Sequence, residues 1–263
     1  MYNTLPLVIS PPRGSNRVRP WPTSHEGMVP WSSWQVLVVL VLFAIIQVVV
    51  SLVLSKAFMS KDATTPPPVG VLFMGVVLIS HAAGWLMAWI LVTRIHGWPF
   101  VQGLGFRRWP LSRLAFIFGA AILVYGLAML PALAHPPPPE RTNLFLEIFR
   151  SGGLNLALLL AVAVIFAPLM EEVLFRGLLF PALRRRFSFT VAALHTTLLF
   201  TALHFTQTGS YWPAMVGIFL CGACLAWLRE RTGSLWPPVV FHMGFNTTPF
   251  LAWLAALPMG GIQ

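Results

Sequence analysis

The chain has 263 residues, 57% of them apolar and only 9% charged, with a formal net charge of +10. Ordinary globular proteins carry about 25% charged residues, so this composition excludes a soluble fold and points to a membrane protein. The basic residues are scattered between apolar segments and do not form one patch interleaved with aromatics, which argues against nucleic acid as a partner.

Residues 1–33 are rich in Pro, Arg and Ser and have no apolar run. They read as a flexible basic arm and not as a cleavable secretory signal, so the first span is expected to act as the targeting element. From residue 34 onward the chain reads as a single transmembrane domain, 34–263. Stretches long enough for about 30 Å of hydrocarbon recur. Seven are predicted: Trp34 to Leu54, Val69 to Ile95, Leu111 to Leu133, Leu154 to Leu179, Phe189 to Phe205, Pro213 to Leu228 and Leu235 to Leu257. The predicted fold is therefore all-α, a polytopic transmembrane helix bundle.

With the N-terminus in the cytoplasm, that side collects Arg13, Arg17, Arg19, Arg94, Arg107, Arg108, Arg113, Arg184, Arg185, Arg186, Arg229 and Arg231. The other side collects Lys56, Lys61, Arg141 and Arg150. This asymmetry follows the positive-inside rule for seven spans with the C-terminus outside. Proline runs, Pro66 to Pro68 and Pro136 to Pro139, punctuate the loops. Asn143 to Arg150 reads either as a short interfacial helix or as an ordered loop. Cys221 and Cys224 fall inside the sixth span, where one pair cannot make a structural zinc site; they read as small packing residues beside Gly217 and Gly222.

The first three spans carry one notable polar residue, His81, and the last four carry the rest. Glu171, Glu172 and Arg176 lie in the fourth span, where each charged group costs about 2.5 to 3.5 kcal/mol if uncompensated. Glu172 and Arg176, four residues apart, share a helix face and can pair. Glu171 points about 100° away. A desolvated carboxylate without that partner is poised to accept and release a proton, although a plain packing salt bridge is the bland alternative. Phe200 and His204 are four apart on the fifth span, as are His242 and Asn246 on the seventh; His195 faces about 180° from His204. Carboxylate plus imidazole can activate water, and imidazole plus amide can donate to an oxyanion.

Straight helices do not bring these groups to one depth. Counted from the arginine clusters, Glu171 lies about 20 Å, His204 about 27 Å and His242 about 16 Å into the membrane. Pro181 can break the end of the fourth span, Pro237 and Pro238 can do so near the start of the seventh, and neither arginine group need mark the membrane edge, so the count tolerates convergence.

Other proteolytic chemistries lack their residues. There is no His-Glu-x-x-His, Asp62 is the only aspartate, and Ser80 and His81 are adjacent and so face apart, with no acid to complete a triad.

Glu171-Glu172-x-x-x-Arg176, Phe200-x-x-x-His204 and His242-x-x-x-Asn246, in that order, resemble the CAAX protease and bacteriocin-processing (CPBP) family of intramembrane proteases, which includes the type II CAAX prenyl endopeptidases. The resemblance covers roughly 154–250. It implies peptide-bond hydrolysis, with Glu171 and His204 holding the water and His242 and Asn246 stabilising the oxyanion. Glu172, Arg176 and Phe200 would support them. No cofactor is required in this reading, although Glu171, His204 and His242 could supply three ligands to zinc. The implied partners are membrane lipid and a membrane-associated peptide or protein, prenylated or not, and the implied location is a bacterial inner membrane. Intramembrane Glu, His and Arg also build the proton relays of transporters, and a non-catalytic scaffold could keep the same groups for stability.

Overall fold

The computed structural model describes residues 29–58, 69–136, 153–208 and 211–256. Most of the N-terminal arm and the Asn143 to Arg150 segment lie outside the described residues. Seven helical segments occupy the places of the seven predicted spans: α1 (Ser33–Phe58), α2 (Val69–Trp89), α3 (Leu111–Ala128), α4 (Gly153–Arg184), α5 (Phe189–Leu203), α6 (Trp212–Thr232) and α7 (Trp236–Ala256). No strand occurs among the described residues.

Five of these helices, α1, α2, α3, α4 and α6, are long and apolar enough to cross a membrane. Their outward faces are apolar: on α1 alone Val41, Leu42, Ile45, Val49 and Val53 are exposed. Side chains of this kind facing outward suit a hydrocarbon solvent, while the polar groups are turned inward. α5 is shorter, 15 residues, or about 22 Å of helix, which is less than the hydrocarbon thickness. α7 has the length to span but carries His242 and Asn246 near its middle.

α4 is the central element and packs against α1, α2, α5, α6 and α7, while α3 lies along α6 and α7. The close approach of α3 to α7 depends on Gly244, where a Cβ would sit 2.6 Å from the Phe118 carbonyl oxygen. The main core joins α1, α2 and α4 through Phe43, Ala88, Met170, Leu174 and Leu178.

α4 is not a uniform helix. Ala161–Phe166 and Val173–Leu179 are π-helical, and they flank the α-helical turn Ala167–Glu172. Each π stretch ends just ahead of a proline, Pro168 or Pro181. A proline within a helix has no N–H to donate and collides with the preceding turn, and a widened turn accommodates it without breaking the rod. This corrects one expectation: Pro181 does not break α4, which runs on to Arg184. Each π stretch also presents a carbonyl to a distant side chain. Trp31 Nε1 donates to Leu178 O at 3.0 Å, and Asn246 Nδ2 donates to Ala163 O at 2.9 Å.

On the side of α4 that carries Arg184, that residue makes a two-pronged pair with Glu230 of α6, at 3.0 and 2.8 Å. Arg185 donates to the Trp31 carbonyl at 3.0 Å, which ties the same end to the start of α1. Arg229, counted by sequence among the flanking cationic residues, is instead fully buried, and its guanidinium donates to Leu104 O at 3.0 Å.

Candidate active site

Glu172 and Arg176 form the predicted pair within α4, with Nη1 3.0 Å from Oε1 and both side chains inaccessible to solvent. Arg176 also donates through Nη2 to the Gly222 carbonyl at 2.9 Å. A Cβ on Gly222 would crowd Thr197 at 3.0 Å while meeting Arg176 Nη2 at an ordinary 3.5 Å, so the glycine makes room for α5. The guanidinium lies over the Phe200 ring at 4.8 Å, so its charge is met by an acid, a carbonyl and an aromatic face.

The acid pair has a second connection that helical spacing did not reveal. His242 Nδ1 lies 3.1 Å from Glu172 Oε1, so one carboxylate oxygen serves both Arg176 and His242. A carboxylate held by arginine accepts, and therefore Nδ1 of His242 carries the proton. His204 is fixed in the same way: its Nδ1 donates to the Phe200 carbonyl one turn earlier, at 2.8 Å. Both imidazoles, when neutral, thus present the lone pair of Nε2.

Those two lone pairs meet at Glu171. Its Oε2 is 3.8 Å from His204 Nε2 and 3.7 Å from His242 Nε2, and no described residue makes a hydrogen bond to it. The expectation that Glu171 stands apart from Arg176 holds, but it is shared by two histidines. Phe200 is the spacer between them, with ring centroids 4.5 Å from His204 and 5.6 Å from His242. Arg176 lies over the same ring, and Phe175 packs edge-on against it at 5.3 Å.

The depth mismatch foreseen for straight helices is met by two features. His204 is the residue that caps the C-terminal end of the short α5, and α4 carries a π stretch on either side of its acids. Asn246 lies one turn beyond His242. One N–H of its amide is committed to Ala163 O, which leaves the other N–H free to donate. His195 is remote, on the exposed face of α5, where it stacks on Phe187. Cys221 and Cys224 are free thiols, and Cys221 packs in the α6 core beside α3 and α7.

Glu171, His204, His242 and Asn246 line one cavity of about 570 Å³, together with Phe200 and Cys221. α1 and α2 complete it with Gln47, Ser51 and His81. Gln47 was missed by sequence reading, although an amide midway along an otherwise apolar span is itself a signal.

Three acceptor atoms converging on one point need something that donates. A water supplies two O–H groups there and keeps its own lone pairs available, which is the state a nucleophile requires. Zinc would draw on the same atoms, but tetrahedral bonds of 2.0 to 2.1 Å hold ligand atoms about 3.3 Å apart. The 3.7 and 3.8 Å separations are wider, and among the described residues no group of three His, Cys, Asp or Glu has metal-ligand spacing. As placed, the side chains do not form a zinc site.

Residues 153–248, the stretch from α4 through most of α7, match the family model described as "Type II CAAX prenyl endopeptidase Rce1-like". An Escherichia coli protein named "Uncharacterized 24.3 kDa protein" is 35% identical over 162 residues, covering 56% of this chain and 72% of that one. The Bacillus subtilis (strain 168) protein named "Putative membrane peptidase YdiL" is 27% identical over 108 residues, 41% of either chain. No solved structure matches the chain.

Proposed function

Because this chain belongs to the Rce1-like family of type II CAAX prenyl endopeptidases, and is a multi-pass membrane protein, we propose that it hydrolyses a peptide bond inside the bilayer by a glutamate-activated water. The observation that carries this reading is the approach of Glu171 Oε2 to within 3.8 Å of two imidazole Nε2 atoms in one cavity.

The chemistry follows from the proton positions. Water held between Glu171 and His204 gives a proton to Glu171 as its oxygen attacks the scissile carbonyl carbon. The carbonyl oxygen takes up negative charge, and the remaining N–H of Asn246 donates to it. His242 joins by accepting on Nε2 the second proton of the attacking water, which it then holds in a hydrogen bond to the oxyanion. Its Nδ1–H is already engaged by Glu172, and that carboxylate stabilises the imidazolium much as an acid does in a triad. Glu171 then returns its proton to the departing amine as the C–N bond breaks. No metal takes part in this scheme.

The substrate in this reading is a membrane-associated peptide or protein that reaches the cavity from the lipid, with the N-terminal arm of the enzyme cytoplasmic and the bilayer a bacterial inner membrane. A low-dielectric site suits the reaction, since charge developing on the oxyanion is poorly solvated by anything except the donors aimed at it.

The test is cleavage of a prenylated peptide by purified protein in detergent, compared with Glu171→Ala. Cleavage by the wild type and none by the variant, with both folded, is the expected outcome. Equal cleavage by the two would remove Glu171 from the mechanism.

A further inference from the structure

The catalytic groups occupy only part of the cavity wall; the rest comes from α1 and α2, which lie outside the 153–248 stretch matched by the family. Three residues with polar side chains line it from there: Gln47 and Ser51, one turn apart on α1, and the buried His81 on α2.

His81 is the most constrained of them. It is 8% exposed, its ring edge packs on Phe43 at 5.7 Å, and Nδ1 donates to the Val77 carbonyl at 2.7 Å. Nδ1 therefore carries the proton and Nε2 is an acceptor. Among the described residues Nε2 has no hydrogen-bond partner. An acceptor left so in apolar surroundings costs free energy, and an imidazole kept only to pack on Phe43 would be replaced with gain by an apolar ring. His81 and Glu171 line the same cavity.

The chemistry that would satisfy Nε2 is an N–H. A polypeptide presented for attack on its carbonyl must be extended there, because in a helix the amides are engaged with one another. In a bilayer each N–H released in this way needs an acceptor supplied by the protein. Only the backbone offers that donor whatever the side chains are.

We propose that His81, with Gln47 and Ser51 on the adjoining helix, is a main-chain clamp: Nε2 of His81 accepts a backbone N–H of an extended substrate segment lying beside Glu171. This rests on the peptidase reading for the identity of the ligand. The hydrogen bond holds the strand in register with the water and is indifferent to side-chain sequence.

The probe is a degenerate library of N-palmitoylated nonapeptides, and the protein is the full chain in lipid nanodiscs. Retention of the library is measured on Glu171→Gln protein, and on the same protein carrying His81→Phe or His81→Gln. The phenyl ring keeps the packing on Phe43 and loses the acceptor; the glutamine restores an acceptor. Retention is expected to fall about tenfold with His81→Phe and to return to within about twofold with His81→Gln. With a library N-methylated at its backbone amides, the three proteins should retain equally. No loss in His81→Phe, a loss that persists undiminished with the N-methylated library, or no retention by any protein overturns the clamp. If the expected contrasts appear but wild-type protein cleaves nothing, the peptidase reading falls and the clamp stands.

Discussion

Glu172 Oε1 lies 3.1 Å from Nδ1 of His242, a residue 70 positions later in the chain. That contact makes the buried ion pair of α4 more than a device for hiding charge. It sets which nitrogen of His242 bears the proton, and hence which nitrogen faces Glu171.

Glu171→Gln should abolish turnover, by a factor of about 10² to 10⁴, the usual worth of a positioned general base. Its thermal midpoint should stay near that of the wild type, since Glu171 is partly exposed to the cavity and makes no hydrogen bond to a described residue. Peptide cleavage and thermal unfolding in the same detergent check both halves.

Glu172→Gln should behave in the opposite way. Removing one partner of a fully buried pair leaves Arg176 uncompensated and costs about 3 to 5 kcal/mol. A double variant, Glu172→Met with Arg176→Met, should recover most of that stability. It should not recover activity, because His242 Nδ1 has lost its acceptor. Unfolding midpoints and cleavage rates measured side by side separate the two effects.

Asn246→Ala should lower kcat by about 10² to 10³ and leave KM almost unchanged, as expected of a donor that acts on the oxyanion alone. A matching rise in KM would instead place the amide against the bound substrate.

Dialysis against a strong chelator should leave activity intact, and added zinc should not raise it. The prediction follows from donor atoms 3.7 and 3.8 Å apart, too wide for tetrahedral zinc without rearrangement. Loss on dialysis that zinc restores would reverse the assignment.

Gly244→Ala should destabilise the bundle by about 1 to 3 kcal/mol without touching the chemistry, because its Cβ would press on the Phe118 carbonyl at 2.6 Å and push α3 off α7. A lowered midpoint with cleavage intact at low temperature is the expected pattern.

What could be read before folding was what repeats at helical spacing. Glu172 with Arg176, Phe200 with His204, and His242 with Asn246 each lie one turn apart, and each pair shares a face in the structure. The link from Glu172 to His242 was not legible, because it depends on how α7 packs against α4 and not on any spacing within one helix. The depth count failed for a related reason: it assumed uniform α-helices, whereas α4 contains two π stretches and α5 stops short at His204. Pro181 was read as a break because proline removes a donor, and the chain answers that loss by widening the turn before it. Gln47 was overlooked because an uncharged amide scarcely dents the hydropathy of α1.

A widened turn is one residue of surplus winding, and this gives α4 an angular dependence on length. The π stretch 161–166 takes up its extra residue by turning less per residue, so deleting one residue there lets it relax to ordinary α geometry with the two acids still facing the histidines. The α-helical turn that follows has no such surplus. Deleting one residue from 167–170 would turn the acids by about 100° relative to the preceding turns, or rotate the amino-terminal part of the rod against its neighbours. The orientation of Glu171 is thus encoded in a residue count, and a one-residue deletion should damage activity far more at 167–170 than at 161–166.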